Sequence, residues 1–167
     1  MWATIFRRRT LPRLAAAMLL ATALLCAGAA GAEPLRGRVS VIDGDTLEMH
    51  GQRIRLFGID APESGQRCSQ ADGSQWRCGR EAAFALDGLV QGHTVTCVGR
   101  DIDRWGRIIA VCDIEGVDLG QRMVESGWAI AYRRYSRDYA PAEDRARSSA
   151  RGIWSGSFED PEHWRQK

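Results

Sequence analysis

The 167-residue chain carries 23 Lys and Arg against 21 Asp and Glu, a formal net charge of +2, and 44% of it is hydrophobic. Four of the basic residues, Arg7, Arg8, Arg9 and Arg13, lie in the first 32 residues with no acid among them, so residues 33–167 hold 19 basic and 21 acidic side chains. That balance excludes a globally basic protein that coats nucleic acid; any such binding has to come from local patches.

The chain opens on MWATIFRRRTLPR, followed by the apolar run LAAAMLLATALLCAGAA and then Ala30-Gly31-Ala32. A cationic start, an apolar middle and a small-residue cleavage site predict a secretory signal over 1–32, cut after Ala32. The alternative is an uncleaved anchor, because Leu14 to Ala32 is close to the roughly 20 apolar residues that span a bilayer. The predicted location is the periplasm or the medium; with an anchor it is the inner membrane, facing the periplasm. Residues 33–167 then form one domain with a tail packed back on it, a length sufficient for a modest core.

From Arg36 to Phe57 apolar residues alternate, as Val39 and Val41, Leu47 and Met49, Ile54 and Leu56, with breaks at Asp43-Gly44 and His50-Gly51; this predicts three consecutive strands. A loop rich in Ser, Gly, Gln and Cys runs from Ile59 to about Cys78. GREAAFALDGLV follows, with Ala83, Leu86, Leu89 and Val90 at helical spacing and a stop near Gln91-Gly92. HTVTCVG and RIIAVCDIEG are β-branched arms of a second hairpin, joined by the charged connection RDIDRWG. Asp118, three residues before Gln121, predicts a capped helix over LGQRMVESG that Gly127 ends. Pro141 opens a last helix, AEDRARSSAR, with Gly152 as its C-terminal cap, and Trp154, Phe158 and Trp164 lie in the tail. Three strands, a helix, two strands and two helices fit an α+β, mainly β fold: a five-stranded OB-type Greek-key barrel with three helices. Periodicity alone fits another α+β domain equally well.

With Cys26 in the leader, four cysteines remain, an even number in a chain addressed to an oxidising compartment. Cys97 and Cys112 sit on the two arms of the second hairpin and Cys68 and Cys78 bracket the long loop, so the predicted disulfides are 68–78 and 97–112. Zinc is the competing reading; it lacks a C-x-x-C, and His50, His93 and His163 are scattered.

The charge in IDGDTLEMHGQRIRLFGIDAPE is the feature with chemical content. Asp45 and Asp60 at strand ends offer two anionic oxygens to a hard divalent cation, with carbonyls and waters to complete the shell. Singly, each is an ordinary turn residue. Arg55 lies in the same run, and Arg107 in DRWGR of the far hairpin. Guanidiniums grip phosphate oxygens in a fork, and Glu63 is a carboxylate able to take a proton from water. The alternative for the same residues is a solvated network of surface ion pairs. Asp43-Gly44 reads as turn chemistry, and Arg53 as solvated.

VIDGDT, RLFGIDAPE, DRWGR and the GIW after a helix, in that order and spacing, resemble the staphylococcal nuclease (thermonuclease) family over roughly Val39 to Ser155. The resemblance implies an OB-type barrel and calcium-dependent endonucleolytic hydrolysis of DNA and RNA with little sequence specificity, leaving 3′-phosphate ends. It makes Asp45 and Asp60 calcium ligands, joined by the backbone carbonyl of Ala61 where the best-known members have threonine. Arg55 and Arg107 become the catalytic arginines and Glu63 the general base. Arg104 and Trp105 stand where a lysine and a tyrosine flank the nucleotide, and Tyr132 and Tyr135 are the nearest candidates for the tyrosines over base and phosphate. The cysteine-bearing loop looks like a stapled variant of exported relatives. Nucleic acid is the implied partner; no stable protein partner is implied, and a monomer is expected. Trp76, Trp128, Trp154 and Trp164 read as packing residues. Two other functions remain for such a chain: a non-catalytic nucleic-acid-binding OB module, and a structural envelope domain anchored by Leu14 to Ala32.

Overall fold

In the computed structural model the described residues are 33–167, so the expected signal or anchor over 1–32 lies outside them. β1 (Leu35–Gly37) is followed by a meander of β2 (Ser40–Asp43), β3 (Thr46–Met49) and β4 (Gln52–Leu56). β3 is buried almost throughout, while β4 points Ile54 and Leu56 inward and leaves Arg53 exposed, the alternation that the sequence displays. The short β5 (Ile59–Asp60), β6 (Cys68–Gln70) and β7 (Gln75–Trp76) lead to α1 (Cys78–Val90). β8 (Val95–Ile102) and β9 (Ile108–Ile114) form the long hairpin, followed by β10 (Val117–Asp118), α2 (Leu119–Glu125) and β11 (Ile130–Ala131). The chain closes with α3 (Ala140–Ser148), a 3-10 turn over Gly152–Ser155, β12 (Gly156–Ser157) and α4 (Pro161–Trp164).

The main sheet runs β1-β8-β9-β4-β3-β2, with β10 appended to β9. All its described pairings are antiparallel except β4 with β9, where Ile54, Arg55 and Leu56 lie beside Ile108, Ile109 and Ala110. Bulges between Val41 and Asp43 and between Gly99 and Asp101 bend the sheet into a curled half-barrel. The core inside the curl joins Leu47, Ile54 and Leu56 to Leu86 of α1 and to Leu119 and Met123 of α2.

This is the mainly β, α+β, OB-type architecture expected from the sequence, with three differences. The described residues contain four α-helices rather than three and more than five strands. The residues before Val39 form a separate strand on the far edge of the sheet, because β1 pairs with β8. The loop expected over 59–78 holds β5, which pairs with β11, and β6, which pairs with β7 and β12. Such two- and three-residue strands have too few positions for alternation to register.

Helix boundaries follow local chemistry. α1 ends at Val90, with Gly92 just beyond at φ +81°. Asp118 accepts from the Gln121 N–H at 3.0 Å, capping α2 as its spacing predicts. α3 ends at Ser148, earlier than expected: Ala150 takes the left-handed turn at φ 50°, and Gly152 opens the 3-10 turn instead of capping the helix. The hairpin connection is shorter than RDIDRWG, since β8 continues to Ile102 and leaves 103–107 as the turn.

Both predicted disulfides are present. Cys97 and Cys112 are directly opposed on β8 and β9, and Cys68–Cys78 ties β6 to the start of α1. Crosslinks over separations of 10 and 15 residues restrict the unfolded chain, each contributing stability of about 3 kcal/mol. Around Cys68, Cys78 and Ile153 a second small cluster gathers Trp76, Ile130, Trp154 and Phe158. Trp154 and Phe158 meet edge to face at 4.9 Å, and Trp76 meets Trp128 at 6.1 Å, so these tryptophans pack rather than offer stacking platforms.

Tyr139, at the start of α3, donates to Asp118 at 2.8 Å and thereby joins the caps of two helices. Burial, then the hydrogen bond to Asp118 and its negative charge, push the phenol well above its usual range. A raised folded-state pKa stabilises the fold below the unfolded value of about 10, and that stability is lost as pH rises through and beyond it. Tyr139→Phe is therefore expected to cost about 1 kcal/mol at neutral pH and to flatten the alkaline part of the stability curve. Urea denaturation between pH 8 and 11 measures both; parallel curves for the two proteins would contradict the assignment.

Candidate active site

Asp45, Arg55, Asp60 and Glu63 are brought together by the ends of β3, β4 and β5. Asp43 accepts from the Asp45 N–H at 3.1 Å, so Asp43-Gly44 is the turn that sets Asp45 in place. Gly44 permits the approach, since a Cβ there would stand 2.7 Å from Ala61 Cβ and 2.8 Å from Ala82 Cβ. Thr46 and Arg55 are cross-strand partners in the β3–β4 pair, which carries the guanidinium to the turn holding Asp45.

Arg55 donates from one terminal nitrogen to Asp45 Oδ1 at 2.7 Å and from the other to Asp60 Oδ1 at 2.6 Å. Asp45 also accepts from Thr46 Oγ1 at 3.1 Å and from the Ala61 N–H at 2.9 Å. Asp45 is 3% exposed and Asp60 is 0% exposed, so this is not the solvated rim that the bland reading of the motif supposes. Burial raises the Asp45 carboxyl above the ordinary range against the opposing pull of Arg55. Burial draws Arg55 down, but Asp45 and Asp60 outweigh it and hold the guanidinium above its usual value.

Glu63 is positioned by its backbone. Its N–H donates to Gln66 Oε1 at 3.1 Å, and its carbonyl accepts from the Gln66 N–H at 2.7 Å. At the start of α1, a Cβ on Gly79 would fall 1.7 Å from the Glu63 carbonyl oxygen, so only glycine lets the helix close on this loop.

The second arginine is held apart from the carboxylates. Arg107 Nε donates to Asp103 Oδ2 at 2.7 Å, and Asp103 Oδ1 also accepts from the backbone N–H groups of Trp105 and Arg107. Burial pushes Asp103 up, but these hydrogen bonds prevail and hold it below the usual carboxylate value. Arg107 lies one residue before β9, whose Ile109 is registered beside Arg55 on the parallel β4. The described ion pairs do not join it to Asp45, Asp60 or Glu63.

Trp105 is 66% exposed, with the guanidinium of Arg104 4.2 Å and that of Arg107 5.1 Å from its ring centroid. It is an accessible aromatic surface flanked by cations. Tyr132 and Tyr135 stack at 5.1 Å with a 55° tilt, after β11, whose Ile130 is registered against Asp60. Burial raises the Tyr132 phenol, with Arg134 opposing and Glu162 and Asp60 assisting.

One residue of the cluster was not identified from the sequence. Arg165, immediately after α4, donates to Asp60 Oδ1 and Oδ2, both at 2.9 Å, and to Glu63 Oε1 at 2.7 Å. Gln66, 0% exposed, links the same parts by donating to the Glu159 carbonyl at 2.7 Å.

The sequence matches the family described as staphylococcal nuclease homologue over residues 53–156. The chain belongs to this family. The matched segment contains Arg55, Asp60, Glu63 and Arg107; Asp45 lies before it and Arg165 after it. Among curated proteins, the chain is 39% identical to the succinoglycan biosynthesis protein ExoI of Rhizobium meliloti over 148 residues, 87% of this chain and 76% of that protein. It is 36% identical to an uncharacterized endonuclease of Escherichia coli over 142 residues, 80% of this chain and 86% of the relative. It is also 35% identical to the probable staphylococcal-like nuclease CAN1 of Oryza sativa over 126 residues, 74% of this chain but 35% of that longer protein. Membership of a nuclease family with relatives named endonuclease supports a nuclease function for this chain.

The donor chemistry of the site fits a hard cation. Two buried carboxylates point into one cluster and are neutralised by guanidiniums, an arrangement in which a divalent ion can take the place of a charged group. Among the described residues no three His, Cys, Asp or Glu side chains form a ready-made metal centre, so carbonyls and water would have to complete the shell. Among the described residues no helix is long and apolar enough to cross a membrane.

Proposed function

We propose that the chain is an exported, calcium-dependent endonuclease that hydrolyses DNA and RNA with little sequence preference and leaves 3′-phosphate ends. The observation that carries this reading is the buried pair Asp45 and Asp60 bridged by Arg55, with Glu63 beside it, on the motifs that resemble the family. Asp45, Asp60 and the Ala61 carbonyl would hold the cation, whose positive charge would offset charge gathering on the phosphate. Arg55, and Arg107 once its pair with Asp103 opens, bind the nonbridging phosphate oxygens and stabilise the extra charge of the transition state. Glu63 accepts a proton from the attacking water, whose oxygen bonds to phosphorus as the bond from phosphorus to the 5′ oxygen breaks, and the leaving 5′ oxygen takes its proton from solvent.

Arg104 and Trp105, with Tyr132 and Tyr135, offer charge and stacking surfaces rather than a base-edge code, so single strands and frayed ends are the favoured substrates. Two disulfides accord with an oxidising compartment and hence with export of a single domain over residues 33–167, acting as a monomer.

The purified chain, assayed on single-stranded DNA, double-stranded DNA and RNA, is expected to cleave all three with calcium. Cleavage should stop with chelator and return on adding calcium back. No cleavage with calcium, magnesium or manganese would remove the enzyme reading and leave the binding module.

A further inference from the structure

Arg165 lies 102 residues beyond Glu63 and 105 beyond Asp60, yet its guanidinium contacts both carboxylates. Its fork covers both oxygens of Asp60, and Asp60 Oδ1 is shared with Arg55. The Arg165 side chain is still 33% exposed, so it reaches this position from the surface. It is carried by α4, a helix of only four residues. Polar contacts from the tail to the domain include Gln66 to the Glu159 carbonyl at 2.7 Å and Arg134 to Glu162 at 2.9 Å, while Lys167 pairs with Glu159 inside the tail at 2.7 Å. Trp164 lies against Gly65, where an added Cβ would be 3.6 Å from its ring, so the tail rests on the loop that presents Glu63.

We propose that Arg165 sets the cation affinity of the site: it is an internal competitor that holds Asp60 and Glu63 and must release Asp60 for a divalent ion to bind. This rests on the reading of Asp45 and Asp60 as cation ligands. The physical basis is occupancy and like charge. A fork on both Asp60 oxygens fills directions that a cation would use, and two positive groups on one carboxylate repel. With the cation bound, Arg165 is freed from Asp60 and the Glu63 carboxylate is left open to water.

The test is calorimetric titration of the full chain with calcium at fixed ionic strength, with wild type, Arg165→Gln and Arg165→Lys compared. Arg165→Gln is expected to bind calcium about tenfold tighter than wild type, a difference that shrinks as salt is raised. Arg165→Lys keeps the charge but loses the fork and is expected to fall between. In wild type, calcium should also speed hydrogen–deuterium exchange across 158–167, a readout independent of cleavage. Equal calcium affinity in wild type and Arg165→Gln, or weaker affinity in a folded Arg165→Gln, overturns the competitor role while leaving the cation site intact. Absence of binding by all three chains overturns the cation site itself, and the competitor with it.

Discussion

Glu63→Gln and Arg107→Gly are each expected to lower the rate of phosphodiester hydrolysis by about three orders of magnitude while the chain stays folded. Glutamine preserves the size of Glu63 but cannot accept a proton from the attacking water, so the proposed step loses its base. The backbone contacts to Gln66 that hold residue 63 do not involve its carboxylate and survive the change. Arg107 makes its side-chain ion pair with Asp103, outside the buried pair, so glycine there removes the proposed phosphate ligand without exposing the core. Single-turnover cleavage of a short single-stranded DNA, with circular dichroism and melting as controls, checks both. A folded variant cleaving within a factor of a few of wild type takes that residue out of the mechanism.

Arg55→Met is expected to act on stability as well as on rate. Arg55 is the group that neutralises Asp45, and removing one member of a buried ion pair costs about 3–5 kcal/mol. That is a large part of the 5–15 kcal/mol typical of a domain. Asp60 would keep Arg165, whereas Asp45 would keep only Thr46 and the Ala61 N–H. The penalty should depend on pH. Burial already raises the Asp45 carboxyl, and loss of Arg55 raises it further. A raised acid favours the fold when protonated, so the variant should lose stability as pH climbs from the unfolded Asp value through the folded one. Adding Asp45→Asn to Arg55→Met should recover part of the loss at neutral pH. Urea midpoints for the single and double variants measure this; a single-variant loss below about 1 kcal/mol would show that the pair is not a structural element.

The two predictions separate roles that the motif itself merges. In the sequence, Asp45, Arg55, Asp60 and Glu63 are four charges spaced along one contiguous run. In the folded chain Asp45 and Asp60 are buried and neutralised by Arg55 and Arg165, while Glu63 is partly exposed beside them and Arg107 is paired with Asp103 apart from them. Stability loss is therefore expected chiefly from the former and rate loss alone from the latter.

Much of the fold was legible because its causes are local. Alternation identified β2, β3, β4 and the β8–β9 hairpin; helical spacing with Asp118 and Gly92 bounded α1 and α2; and hairpin geometry paired Cys97 with Cys112. The family motifs were likewise contiguous, so their residue types could be read without knowing where the chain folds. What tertiary structure alone decided has no local signature. The parallel β4–β9 pairing, which sets Ile109 beside Arg55, depends on how two distant hairpins meet. The burial of Asp45 and Asp60 depends on the fit of Gly44 against Ala61 and Ala82 and on β5 pairing with β11. Arg165 lies in a tail whose four-residue helix is too short to leave a periodic trace. Its charge resembles that of any other arginine in the chain until the fold sets it against Asp60 and Glu63, because electrostatic contact depends on distance in space rather than separation along the sequence.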